Sequence, residues 1–189
     1  MDTKKVYLAG GLFDLRQLAG NAQLAECLES SSEGRYKVYL PQDYEPESLE
    51  AKAIRDSDFR GVLDCDAAVF QFDGTELDSG TVAEFMAAKF ADIPAVALRT
   101  DFRRGGDRNE EPWNLMCSFY PRTVSLVVDA MQLYVESGHA SFGGVEASRK
   151  ATQRLAELLL GKLDEVVSLP PVAVEGANRR EDLERLLGM

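Results

Sequence analysis

Apolar and polar positions fall in blocks along the chain, and the blocks carry two different periods. Residues 6–9 form a short apolar run stopped by Gly10 and Gly11, as in a buried strand that ends in a tight turn. Leu15, Leu18, Ala19, Ala22, Ala25 and Leu28 then recur at steps of three and four, which predicts a helix laid on a sheet and ended by residues 30–34. Residues 36–40 read as a second strand stopped by Pro41, and residues 46–64, rich in charge and alanine, as one or two helices. The run AAVFQF at 67–72 is continuously apolar, the pattern of a strand buried on both faces. A polar loop at 73–79, a helix at 81–91 and a strand at 95–98 follow. Beyond a charged loop at 100–111, residues 123–128 supply a fifth strand and residues 145–167 a long helix.

Strands alternating with helices predict an α/β fold: an open parallel five-stranded sheet with helices on both faces, the three-layer arrangement of flavodoxin-like and Rossmann-like proteins. The expected division is one domain over residues 1–169 and a C-terminal linker with a short helix over 170–189. In such sheets ligands gather beyond the carboxyl ends of the strands. Here those places are residues 10–14, 41–45, 73–79 and 100–116, so their polar side chains are the functional candidates.

Charge narrows the partners. The 21 basic and 32 acidic residues give a net charge of −11, spread along the chain, which disfavours nucleic acid polymers and anionic membranes but leaves small neutral substrates acceptable. Cys27, Cys65 and Cys117 are odd in number and far apart, which indicates neither a disulfide framework nor a metal site and fits a cytoplasmic location. No apolar stretch approaches the roughly 18 to 20 residues of a membrane span.

The segment from Phe72 to Glu84 places four carboxylates, Asp73, Glu76, Asp78 and Glu84, in thirteen residues. Two readings compete for it. Thr81 and Glu84 have the spacing of a capping box, in which Glu84 closes on the backbone at a helix start. Alternatively the carboxylates do chemistry. A hard-cation site needs a tighter ligand rhythm than this loop has. A phosphoacceptor domain would carry an acidic pair after the first strand, where Ala9-Gly10-Gly11 stands, and the GxGxxG spacing of a dinucleotide site is absent.

The pattern Tyr7-Leu8-Ala9-Gly10-Gly11-Leu12-Phe13, then Asp58, then Asp78-Ser79-Gly80-Thr81-Val82-Ala83-Glu84, then Pro112-Trp113-Asn114-Leu115-Met116 resembles the nucleoside 2-deoxyribosyltransferase family. The resemblance implies transfer of a 2-deoxyribosyl group between nucleobases without a cofactor or metal. It makes Glu84 the nucleophile, Tyr7 the group that holds its carboxylate, and Asp58 the proton donor and acceptor for the base. Asp78 would bind the sugar 5′-hydroxyl with Asn114, while Phe13 and Met116 flank the sugar and Gly10 and Gln42 line the substrate. Implied partners are 2′-deoxynucleosides and free nucleobases, in a homo-oligomer with shared active sites. A hydrolase, a 2′-deoxynucleoside 5′-monophosphate N-glycosidase, is the alternative; relatives that accept a 5′-phosphate tend to carry a small hydroxyl residue at the position of Asp78. The chain departs from the family in Glu84-Phe85-Met86-Ala87, where a glycine often follows the nucleophile, and no terminal-carboxylate role carries over to Met189.

Other conspicuous residues are expected to be structural. The single histidine, His139, reads as a surface-loop residue and Cys117 as a packed thiol. Trp113 is open between stacking on a base and packing at a subunit contact, and Arg99, Arg103 and Arg104 between a solvated loop and a phosphate site.

Overall fold

The computed structural model describes residues 2–43, 46, 48–106, 111–138, 140, 143–172 and 178–189. Five strands, β1 (Lys4–Ala9), β2 (Tyr36–Tyr39), β3 (Ala67–Gln71), β4 (Ala95–Arg99) and β5 (Thr123–Val127), form one sheet in the order β2-β1-β3-β4-β5. Every pairing is parallel. The central strands are buried on both faces, which is why they read as unbroken apolar runs, while β5 at the edge is only half-covered.

Side chains leave each strand alternately to the two faces. Val6, Leu8, Val69, Val96 and Leu98 meet Leu24 and Leu28 of α1 (Leu15–Ser31) and Leu159, Leu163 and Val166 of a long helix at Gly144–Val167. Tyr7, Ala9, Ala68, Phe70 and Ala97 face the other way, toward Val62 and Leu63 of α2 (Ala51–Leu63) and Phe85 and Ala88 of α3 (Ser79–Phe90). The predicted elements match the observed ones to within a few residues, and residues 46–64 yield a single helix.

Among the described residues, the α-helix at Ala130–Glu136 was not anticipated. α4 (Ala130–Glu136) is two turns long and buries only Leu133, so it leaves no apolar stripe in the sequence; Asp129 starts it by accepting from the Gln132 amide at 3.0 Å. The long helix at Gly144–Val167 is therefore α5. The terminal helix α6 (Arg179–Leu187) lies against the α2 and α3 layer: Leu183 is buried there, Arg180 pairs with Asp64, and Arg55 donates to the Leu187 carbonyl at 2.8 Å. Among the described residues no helix is long and apolar enough to cross a membrane. His139 lies outside the described residues.

Candidate functional site

The strand order reverses between β1 and β3, since the chain moves from β1 outward to β2 and then from β3 outward to β4. Their carboxyl ends therefore open a crevice that no crossover helix fills. Three amides knit its floor. Asn21, buried in α1, donates to the Gly11 carbonyl at 3.1 Å and to Gln42 Oε1 at 3.3 Å, and accepts from Gln71 Nε2 at 2.9 Å. Gln42 in turn donates to the Leu18 carbonyl at 3.1 Å, so both ends of its amide are bonded within the chain. Gly10 is buried under this network, and a Cβ there would stand 2.6 Å from Gln71 Nε2.

On the α2 and α3 face the structure brings Tyr7, Asp58, Asp78 and Glu84 together. Tyr7 is wholly buried in β1, and its hydroxyl donates to Glu84 Oε1 at 2.8 Å. The helix that carries Glu84 is capped by Asp78, whose Oδ2 accepts from the Thr81 amide at 2.7 Å and its hydroxyl at 2.9 Å. The cap thus lies six residues before Glu84, and Glu84 leaves the helix for Tyr7 without closing on the backbone. The capping-box reading is corrected by this geometry.

Burial pushes the Glu84 carboxyl up to about 7; the Tyr7 hydrogen bond works against the rise, and the negative charges of Asp58 and Asp78 add to it. Burial also raises Asp58 above the usual carboxylate range. The contrast with its neighbour is instructive. Asp56 is buried but ion-paired with Lys52 and Arg55, each at 2.5 Å, and is held low. Asp58, two residues on and half-buried, makes no hydrogen bond or ion pair with the described residues.

The loops after β3 and β4 are clamped to each other. Asp73 accepts from the Thr100 amide and hydroxyl and from the Asp101 amide at 2.6–2.8 Å. In return Arg99, only 1% exposed, spreads its guanidinium over the carbonyls of Phe72, Gly74, Asp101 and Arg103. Neither reading of Arg99 holds: it is a buried clamp, neither solvated nor free to bind phosphate, because carbonyls occupy its donors. Arg103 pairs with Asp101 at 2.6 Å. Trp113 is buried too, edge-on to Phe72 with its ring nitrogen donating to Ser118 Oγ at 3.0 Å, so it is a core residue and not a stacking surface. Cys117 is packed beside it as expected.

The remaining predicted residues ring the crevice. Phe13 and Asp78 line a groove of about 660 Å³, whereas Asn114 and Met116 line a smaller cavity of about 350 Å³ across the 74–79 loop. Asn114 Oδ1 accepts from the Met116 amide at 2.9 Å, which orients its side chain. Phe13 and Met116 are 76% and 73% exposed. Sequence reasoning missed the Arg99 clamp and the Asn21 network. Asn21 had left a signal: it interrupts the apolar stripe of α1 between Leu18 and Ala25. Among the described residues no cluster of three or more His, Cys, Asp or Glu side chains is arranged to hold a metal ion.

Fold and site together define an open-sheet α/β protein with a tyrosine-held carboxylate on the helix after its third strand. The model of the family described as nucleoside 2-deoxyribosyltransferase matches residues 6–116, more than half of the chain, and the protein belongs to that family. Among solved structures it is similar to a conserved protein from Enterococcus faecalis V583, with 25% identity and a TM-score of 0.54 over 87% of this chain and 99% of that one. It is also similar to a 2-desoxiribosyltransferase from Leishmania mexicana, at 21% identity and a TM-score of 0.53 over 70% and 97% of the two chains. The CMP N-glycosidase BcmB from Clostridium botulinum aligns at 14% identity and a TM-score of 0.49, over 70% and 96%. No curated protein matches the chain.

Proposed function

We propose that this protein transfers the 2-deoxyribosyl group of a 2′-deoxynucleoside to another nucleobase through a covalent glycosyl-enzyme on Glu84. The observation that carries this reading is the Tyr7–Glu84 hydrogen bond, with Asp58 beside it and without a partner among the described residues. Departure of a base from C1′ leaves positive charge on the sugar, and an anion below that carbon stabilises it. The Glu84 carboxylate bonds to C1′ as the C1′–N bond breaks, and the departing base takes its proton from Asp58. An incoming base then bonds to C1′ from the vacated side, gives its proton to Asp58 and releases Glu84, so two inversions restore the original configuration. Asp78 holds the 5′-hydroxyl through Oδ1, the oxygen that α3 capping leaves unused. Asn114 assists it, Phe13 and Met116 flank the sugar, and Gly10 and Gln42 shape the floor.

The exposure of Phe13 and Met116, with Leu115 and Phe119 beside Met116, supports a homo-oligomer in which a second copy covers the site. Sedimentation of the active protein as a single chain would remove that part of the proposal.

Deoxyinosine and adenine are expected to give deoxyadenosine and hypoxanthine faster than free deoxyribose appears. A bound base attacks from a fixed position, an advantage that disordered water lacks. Chromatography of the products decides: deoxyribose formed at one rate with or without adenine makes the protein a hydrolase. The same assay should show deoxyadenosine 5′-monophosphate used far less well than deoxyadenosine, because Asp78 repels a phosphate dianion.

Tyr7→Phe supplies an independent check. Glu84 must be ionised to attack while Asp58 keeps the proton that it gives the base, so kcat/KM should be bell-shaped in pH, its acid limb set by Glu84, whose carboxyl burial pushes up to about 7. The Tyr7 hydroxyl stabilises the charged form, so its loss raises the Glu84 pKa and moves this acid limb to higher pH. A limb that stays in place while the rate falls would mean that Tyr7 serves packing alone.

A further inference from the structure

The proposed chemistry uses only the Phe13 and Asp78 end of the groove of about 660 Å³. Its walls come from the loops after β1 and β3 and from α1 and α5, including Phe13, Gln17, Leu24, Leu77 and Leu155. It lies toward the sheet face opposite α2 and α3. Asp78 belongs to its wall, whereas Tyr7, Asp58 and Glu84 do not, so the groove leads away from the reacting carboxylate. Because Asp78 lines this space, a 5′-hydroxyl held on it lies at the groove's end and occupies little of it, since a water molecule takes about 30 Å³. The whole groove has the volume of a small-ligand site, typically about 300–1,000 Å³.

We propose that this groove is a subsite for an extension of the sugar at C5′, and that the enzyme accepts 2′,5′-dideoxynucleosides carrying a 5′-alkylamino group. The inference rests on the nucleoside chemistry above. Its chemical class follows from the wall. The atom on C5′ must keep a hydrogen to donate to Asp78, which a secondary ammonium does and an ether does not. Its positive charge faces a carboxylate, with Asp73 and Glu76 in the same wall, and Arg16, the one cation among the described lining residues, is paired with Asp14 at 3.2 Å. The alkyl chain then runs past Leu24, Leu77 and Leu155, where apolar contact is favourable.

Gly20 provides the test. It is an exposed helical residue in the groove wall, and a Cβ placed on it meets nothing within 4 Å. Gly20→Trp therefore fills the groove without backbone strain, and helix propensity favours the change; Gly20→Ala is the control that adds only a methyl group. The probe is 5′-butylamino-2′,5′-dideoxyadenosine, compared with deoxyadenosine in the adenine-exchange format with hypoxanthine as acceptor and, separately, by calorimetric binding. The expected kcat/KM of the probe is within tenfold of deoxyadenosine, falling at least tenfold in Gly20→Trp while deoxyadenosine changes less than twofold and Gly20→Ala changes neither. A probe used more than tenfold less well than deoxyadenosine, or a Gly20→Trp effect equal on both, overturns the subsite. If neither compound turns over, the proposed function fails, and the calorimetry still decides the groove. Probe binding at least as tight as deoxyadenosine and weakened tenfold by Gly20→Trp upholds it; weaker binding, or binding indifferent to Gly20→Trp, refutes it.

Discussion

Glu84→Ala is expected to lower base exchange on the order of 10⁴-fold while nucleoside binding changes only a few-fold, since the lost interaction exists mainly in the transition state. Glu84→Gln should lose activity to a similar degree yet gain stability, and the size of that gain depends on pH. The folded-state carboxyl titrates near 7, above its ordinary value of 4.5. Between these values the native state holds the proton more tightly than the unfolded chain, so stability falls as pH rises through the window. Above it the cost of burying the charge is fully present, on the order of 3 kcal/mol at most. Thermal unfolding should therefore show Glu84→Gln more stable than the parent at pH 8 and little different at pH 4.5. Equal shifts at both values would mean that Glu84 is not held in its raised state.

Asp58→Asn is the second large effect. Loss of a general acid costs about 10² to 10⁴-fold, and the size of the loss should depend on the leaving group. With deoxyadenosine, whose base must be protonated to depart, kcat/KM should fall across that range. With an N7-methylated purine deoxynucleoside the base already carries positive charge, so the first step no longer needs the proton and the loss should shrink to a few-fold. Release of the methylated base, followed by absorbance, separates the two cases. An equal loss with both donors would make Asp58 a structural residue, although its raised pKa and its lack of a partner among the described residues argue for the proton role.

Much of this architecture was legible because each signal was local. Continuous apolar strands and a three-and-four-spaced stripe are enough to predict a parallel sheet covered on both faces, whereas the strand order was not legible, because right-handed crossovers fix the face each helix covers and not the order. The carboxylates were visible as residues but not as partners. No spacing rule joins Tyr7 to Glu84 across 77 positions; that pairing exists only because β1 lies beside β3, whose following helix carries Glu84. Trp113 and Arg99 were left open for the same reason. An indole near a candidate site suggests stacking and an arginine near loops suggests an anion, yet both are consumed by backbone and ring contacts made between distant segments. α4 was illegible because two turns with one buried residue carry no periodicity. Gln42 was readable only by its place after β2, and its amide is engaged by Asn21 and Leu18.

The central claim is that the sugar is carried on Glu84, and trapping tests it most directly. A 2-deoxy-2-fluoro-arabinosyl purine donor slows formation and breakdown of the intermediate, because fluorine beside C1′ opposes positive charge in both transition states. Incubated without acceptor, the protein should gain the mass of one fluorosugar per chain and lose it when adenine is added. Digestion should place the added mass on the peptide containing Glu84, and Glu84→Ala should show none. The sugar found on another residue, or product formed with no adduct and the label recovered only as free fluorosugar, would contradict the account.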